Sequence, residues 1–177
     1  MRREFFIHFS FWFSFFVLFT ILGNNLTFSY WPFWVGGLIG TILPDLDHII
    51  YALFLDPQEL TAQRVGHLLR GKNIKRVITL LYETRYERKS LVFHTFIFQI
   101  IFFVLAFLVL SSSTSLFAKG LVLAFLIHLS VDQLADFIDI KTLGNWGSLF
   151  PKEMDRKYSM IYILSTMLLT LLMGILI

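Results

Sequence analysis

Five apolar runs constrain this chain more than any other feature of its sequence. They cover residues 5–22, 30–55, 91–110, 116–135 and 158–177. A helix needs about 20 mostly apolar residues to cross a bilayer. Inside the hydrocarbon every backbone polar group must be satisfied by the protein itself, which helices achieve. The predicted fold is therefore all-α, an integral membrane bundle of about five transmembrane helices in a single membrane-embedded domain over residues 1–177. Composition agrees, with 15% charged residues against about 25% in an ordinary soluble domain. Arg2 and Arg3 precede the first run, as in a secretory signal, but no small-residue cleavage site follows it. It reads as an uncleaved first span.

The charges between the runs assign an orientation. Residues 23–29 carry none, whereas residues 56–90 carry Arg64, Arg70, Lys72, Lys75, Arg76, Arg85, Arg88 and Lys89. Residues 136–157 carry Lys141, Lys152, Arg156 and Lys157, and Lys119 alone falls on the opposite side. Lys and Arg concentrate in cytoplasmic loops. This predicts a protein of the cytoplasmic (inner) membrane with its N-terminus inside, its C-terminus outside and residues 56–90 as a cytoplasmic loop. Within that loop Ile74, Val77, Ile78, Leu81 and Tyr82 recur at helical spacing, the mark of an amphipathic interfacial helix. Its basic face is either an anchor on anionic lipid or a cationic rim beside a site for anionic head groups. Membrane lipids are the expected partners, and nothing suggests nucleic-acid readout.

On this topology the ionisable residues of the apolar runs gather at one depth. His8 opens the first span; Asp45, Asp47 and His48 close the second; His94 opens the third; His128 and Asp132 close the fourth. Such groups are costly in a bilayer and face a partner, a cavity or the bundle interior. His128 and Asp132 are four apart and Asp45 and His48 three apart, so each pair shares a helical face. Pro44 cannot sit in an uninterrupted helix, so a helix restarting there sets Asp45 in its first turn. Gly36, Gly37 and Gly40 before it allow close helix packing.

With no cysteine in the chain, any transition metal must use imidazole and carboxylate. His8, Asp45, Asp47, His48, His94, His128 and Asp132 are the candidate ligands of one or two divalent ions, zinc first, manganese or iron as alternatives. Two ions about 3.5–4 Å apart suit the hydrolysis of phosphoesters. Asp47 and Asp132 are the candidates for accepting a proton from water. Plainer readings stand beside these. His8 alone fits an interfacial histidine, His67 a solvated or lipid-facing one, and Asp136 and Asp139 solvated residues beyond the span. The whole cluster could instead be a hydrogen-bonded lock between helices.

At these residues the sequence resembles the YdjM-type family of membrane-bound, metal-dependent hydrolases. "GGLIGTILPDLDH" resembles the family's Gly-rich approach to a Leu-Pro-Asp-x-Asp-His motif, and "FHT" at 93–95 the end of its His-Arg-Gly-x-Thr-His-Ser motif. "HLSVDQLAD" resembles its His-x-x-x-Asp helix, and "TLGNWGSLFP" the Gly and aromatic-Pro turn after it. The family is similar to the zinc-dependent phospholipase C and single-strand nuclease group. The resemblance implies an all-helical metal-dependent phosphodiesterase with metal roles at Asp45, Asp47, His48, His94, His128 and Asp132, and at His8 as a match to the family's early histidine. The chain departs where the family has His-Arg-Gly: here stand Lys89, Ser90 and Leu91.

The expected function is a membrane-bound metal-dependent hydrolase at the cytoplasmic face, acting on a phosphoester of a lipid or lipid-linked substrate. The alternatives are a metal-ion or proton transporter, and a non-catalytic scaffold with a degenerate metal site. Transport sites usually lie near the bilayer midplane, whereas these residues cluster at one face.

Overall fold

The structure, a computed structural model, describes residues 2–85, 88, 91–147 and 154–177, with side chains from residue 5 onward. The side chains of Arg2 and Arg3, together with Lys89, Ser90, Lys152 and the end of the 142–151 turn, lie outside the described residues. The chain is all-helical, with no strand among the described residues, and its long apolar helices are those of a membrane bundle. The helices are α1 (Arg2–Leu22), α2 (Trp31–Ile42), α3 (Leu46–Ile50), α4 (Leu60–Arg70), α5 (Ile74–Glu83), α6 (Phe96–Ser112), α7 (Leu116–Ile140) and α8 (Arg156–Gly174).

Among the described residues, four segments are long and apolar enough to cross a membrane: Phe5–Leu22, Phe28–Leu55, Leu116–Ile140 and Arg156–Gly174. The second is a broken rod. Pro44 withholds an N–H and clashes with the preceding turn, and the chain takes a tight 3₁₀ turn over Leu43–Asp45 before restarting as α3. Asp45 stands at the N-cap of that restart, as the proline predicts.

The third apolar run is shorter as a helix than its hydropathy implies. α6 begins at Phe96, with 17 residues, rather than at residue 91. The reason is local. Thr95 is extended and its hydroxyl accepts from the Phe98 N–H at 3.3 Å. Ahead of it, the N–H groups of Val92, Phe93 and His94 all donate to the Asp47 carboxylate, at 3.0, 2.6 and 3.2 Å. A buried carboxylate does for these groups what a helical turn would otherwise do, so they need not be helical.

The centre of the bundle is the pairing of α2 with α7. A Cβ on Gly36 would lie 2.1 Å from the Phe117 carbonyl oxygen, and one on Gly40 2.2 Å from that of Leu121. The two backbones are in contact along a small-xxx-small stripe. α1 closes on this pair through aromatic rings, with Phe16 stacked on Phe33 at 4.3 Å between centroids. The basic loop holds two helices rather than one. Glu59 caps α4 through the Thr61 and Ala62 N–H groups at 3.0 and 3.1 Å, and Asn73 caps α5. The apolar stripe of α5 is divided: Val77 and Leu81 pack on Ala62 and Val65 of α4, while Ile74 and Ile78 stay exposed.

Candidate functional site

Asp132, on the last turns of α7, is the hub of the site. Nε2 of His8 from α1 lies 3.1 Å from Oδ1. Nε2 of His94 lies 3.0 Å from Oδ2, and Nε2 of His128 lies 2.9 Å from the same oxygen. Asp45 approaches His128 at 3.7 Å. The His8 and His128 rings are stacked, with centroids 4.2 Å apart. Histidine and aspartate from four separate parts of the sequence thus meet at one end of the bundle.

The supporting contacts separate the candidates by what their atoms can still do. Asp47 is fully buried. Besides the three backbone N–H groups, its Oδ2 lies 3.1 Å from His94 Nδ1. Both oxygens are spent on holding residues 92–94 and on orienting the His94 ring. That geometry is a positioning role, and it does not fit Asp47 as the residue that accepts a proton from water. His94 has a carboxylate oxygen at each ring nitrogen. This arrangement asks for a proton on both nitrogens, or for a cation in place of one.

His48 departs from the expectation of a ligand. Arg88, itself buried, donates from Nε to His48 Nδ1 at 3.1 Å. An imidazole accepting at Nδ1 carries its proton on Nε2, so His48 presents an N–H and has no free lone pair there. Arg88 is fixed in turn by the Thr84 hydroxyl at 3.0 Å and by the Leu81 carbonyl. Asp136 also differs from its reading as a solvated residue. It is half-buried, accepts from Trp146 Nε1 at 2.8 Å and lies 3.5 Å from Arg85. Trp146 sets its ring edge-on to His94, 5.4 Å away. Asp139 and His67 are exposed as expected, although Asp139 lies 3.5 Å from Arg85.

The sequence reading missed Arg88 and Trp146 as parts of the site. The signals were present: a basic residue six positions before His94, and the continuation of the Asp132 stripe to Asp136. It also missed a neutral polar chain deeper in the bundle. Gln133 donates to Gln99 at 2.6 Å, Tyr162 to Gln99 at 2.8 Å, and Thr166 to Gln133 at 3.0 Å. Lone polar residues in apolar helices were its only trace, and the chain ties α6, α7 and α8 together.

A divalent cation fits the donor set around Asp132. His8, His128 and Asp132 each offer a ligand atom, and these atoms lie within 4.8 Å of one another. Ligands bonded at about 2.0 Å around a tetrahedral ion stand about 3.3 Å apart; the two histidine Nε2 atoms lie 3.1 and 2.9 Å from the Asp132 oxygens. His128 Nε2 and both Nδ1 atoms of the His8–His128 pair are buried without a hydrogen bond, so His128 points a buried nitrogen at a carboxylate without binding it as a donor. A cavity of about 490 Å³ opens onto the cluster, within the range of about 300–1,000 Å³ usual for small-molecule sites. No protein-family model, curated protein or solved structure matches the chain.

Proposed function

We propose that this protein is a membrane-embedded metal-dependent hydrolase of the YdjM type, acting on a phosphoester of a lipid or lipid-linked substrate at the cytoplasmic face of the inner membrane. The observation that carries the reading is the convergence of His8, His128 and Asp132 on one point at the edge of a cavity. These three hold the ion, with His94 and Asp45 at its margin. With Asp47 spent on backbone N–H groups and His48 held by Arg88, the donors left suit one ion, zinc first. That ion supplies Lewis acidity and a water of lowered pKa.

The chain's own side chains do the rest. Asp45 is exposed at the cavity and is the residue placed to take a proton from water, in preference to Asp47 or to Asp132 at the hub. His48 presents its Nε2–H and is placed to donate toward a substrate oxygen. Arg85 lines the same cavity and offsets the negative charge of a phosphate there. The Lys and Arg distribution supports the cytoplasmic placement, with the N-terminus inside and the C-terminus outside.

Elemental analysis of the purified protein tests the reading, beside His128→Ala and Asp132→Asn. About one equivalent of zinc, manganese or iron in the wild type, lost in both variants, is expected, together with hydrolysis of bis(p-nitrophenyl) phosphate that disappears with the metal. A wild type that takes up no metal after reconstitution refutes it. A scaffold is the second reading, favoured by the bonding of His94 to both Asp47 and Asp132. It predicts that His128→Ala lowers stability equally with and without added metal.

A further inference from the structure

The cavity has a second, apolar half that the hydrolytic site does not use. α1 and α2 pack tightly at one end, where Gly37 lies against Phe16 and Trp12. Toward the site the cavity lies between them. One wall is Phe5 and Phe9 of α1; the other is Leu38, Ile42 and Ile49 of the broken second rod. These wall residues are exposed and belong to apolar, span-length helices, which sets the gap beside hydrocarbon rather than water. Of the cavity's aspartate and arginine side chains, these two walls contribute Asp45, between Ile42 and Ile49. At the inner end the same cavity meets Arg85, Arg88 and the histidines around Asp132. The cavity is thus apolar where it meets lipid, and where it meets the site it is polar, with Arg85 and Arg88 beside Asp45, Asp132 and Asp136.

We infer that the gap between α1 and α2–α3 seats one hydrocarbon chain of a phospholipid that enters sideways from the bilayer, its anionic phosphate resting at the inner end. The inference rests on the hydrolase reading for its headgroup end and names the ligand class: a long-chain phosphate lipid, bound in preference to a water-soluble phosphoester. Seating the chain between two spans removes it from no apolar surroundings, so binding costs little desolvation. The chain also fixes the distance of the phosphate from the polar cluster.

The test uses the full chain in nanodiscs and a phosphatidic acid carrying a diazirine on one acyl chain. Photolabel is expected on the peptides holding Phe5–Trp12 and Leu38–Ile49, at least five-fold above the label on the outward face of α6 (Ile100, Ile101, Val104). In the wild type, unlabelled dipalmitoyl phosphatidic acid is expected to compete at a concentration at least ten-fold below that of the dihexanoyl form. Thr41→Trp, which fills the gap from α2, is expected to abolish the labelling of the wall peptides while the label on α6 stays. Even labelling of all lipid-facing helices, or equal competition by the two chain lengths, overturns the inference. So does preferential displacement by an apolar peptide helix. Metal content measured on the same sample keeps the readings apart. Patterned labelling without metal refutes only the hydrolase, and metal with unpatterned labelling refutes only the chain seat.

Discussion

Asp47→Asn is the sharpest probe of how the site is held. In the wild type Oδ1 accepts from Val92 and Oδ2 accepts from Phe93 and His94, with the His94 ring 3.1 Å away. Asparagine is the same size, so the change opens no cavity. Its carbonyl oxygen can replace Oδ2, but its NH₂ then faces the Val92 N–H across 3.0 Å, donor against donor. One buried N–H left unmade costs about 1–3 kcal/mol. Removing the charge opposite His94 breaks a buried pair, whose loss costs about 3–5 kcal/mol where the remaining charge persists. Because Asp132 still faces the His94 ring at 3.0 Å, the expected total is nearer the lower figure, about 3 kcal/mol. Equilibrium unfolding in mixed micelles measures it, and a double-mutant cycle with His94→Gln isolates the pair, with a coupling of at least about 1 kcal/mol expected. Metal affinity is expected to fall up to about 10-fold, because Asp47 orients the His94 ring that bonds the ligand Asp132. A loss below about 1 kcal/mol with no coupling would refute the reasoning that Asp47 holds residues 92–94 in place of a helical turn.

Other perturbations follow from separate parts of the molecule. Gly40→Ala puts a methyl 2.2 Å from the Leu121 carbonyl oxygen, so α2 and α7 must separate; a loss of about 1–3 kcal/mol and weaker metal retention are expected in thermal melts and elemental analysis. Arg88→Lys keeps the charge but not the fixed Nε–H to His48, and is expected to shift the pH profile of hydrolysis while metal content is unchanged. Burial pushes the Glu59 carboxyl up, but the Thr61 and Ala62 N–H groups outweigh it and hold it below its ordinary value. Its folded pKa being depressed, the cap is expected to stabilise α4 fully above about pH 4.5 and to fail as pH falls through the lower folded value. Amide exchange in α4 reads this, and Glu59→Gln should flatten the pH dependence.

Much of the architecture was legible because a bilayer leaves a chain few choices. Apolar length marked the spans, and Pro44 marked the break that sets Asp45 at a helix start. The positions of Lys and Arg were enough to predict that His8, Asp45, His94, His128 and Asp132 would share one depth, and the structure brings them into contact. What stayed hidden depended on individual atoms. Hydropathy cannot distinguish a helical Val92 from one held by a distant carboxylate, so the start of α6 was misplaced. Spacing put Asp45 and His48 on one face and the family resemblance added Asp47, yet Asp47 and His48 are committed to Val92–His94 and Arg88, contacts 40 to 47 positions away in sequence. The apolar stripe of α5 has the same periodicity whether it meets lipid, α4 or a cavity, and it meets more than one.

The shortness of α6 has a consequence for the surrounding membrane. Seventeen helical residues span about 25 Å at 1.5 Å each, less than the hydrocarbon thickness of about 30 Å. α6 starts at the site end of the bundle, where His94 precedes it. Lipids along that flank are expected to thin or tilt to match it, bringing head groups there nearer the bilayer centre than elsewhere around the protein. A dimple of this kind would bring phosphates toward the depth of Asp132 without any residue having to rise to meet them. Activity should then fall in bilayers built from longer acyl chains, even when the substrate itself is unchanged.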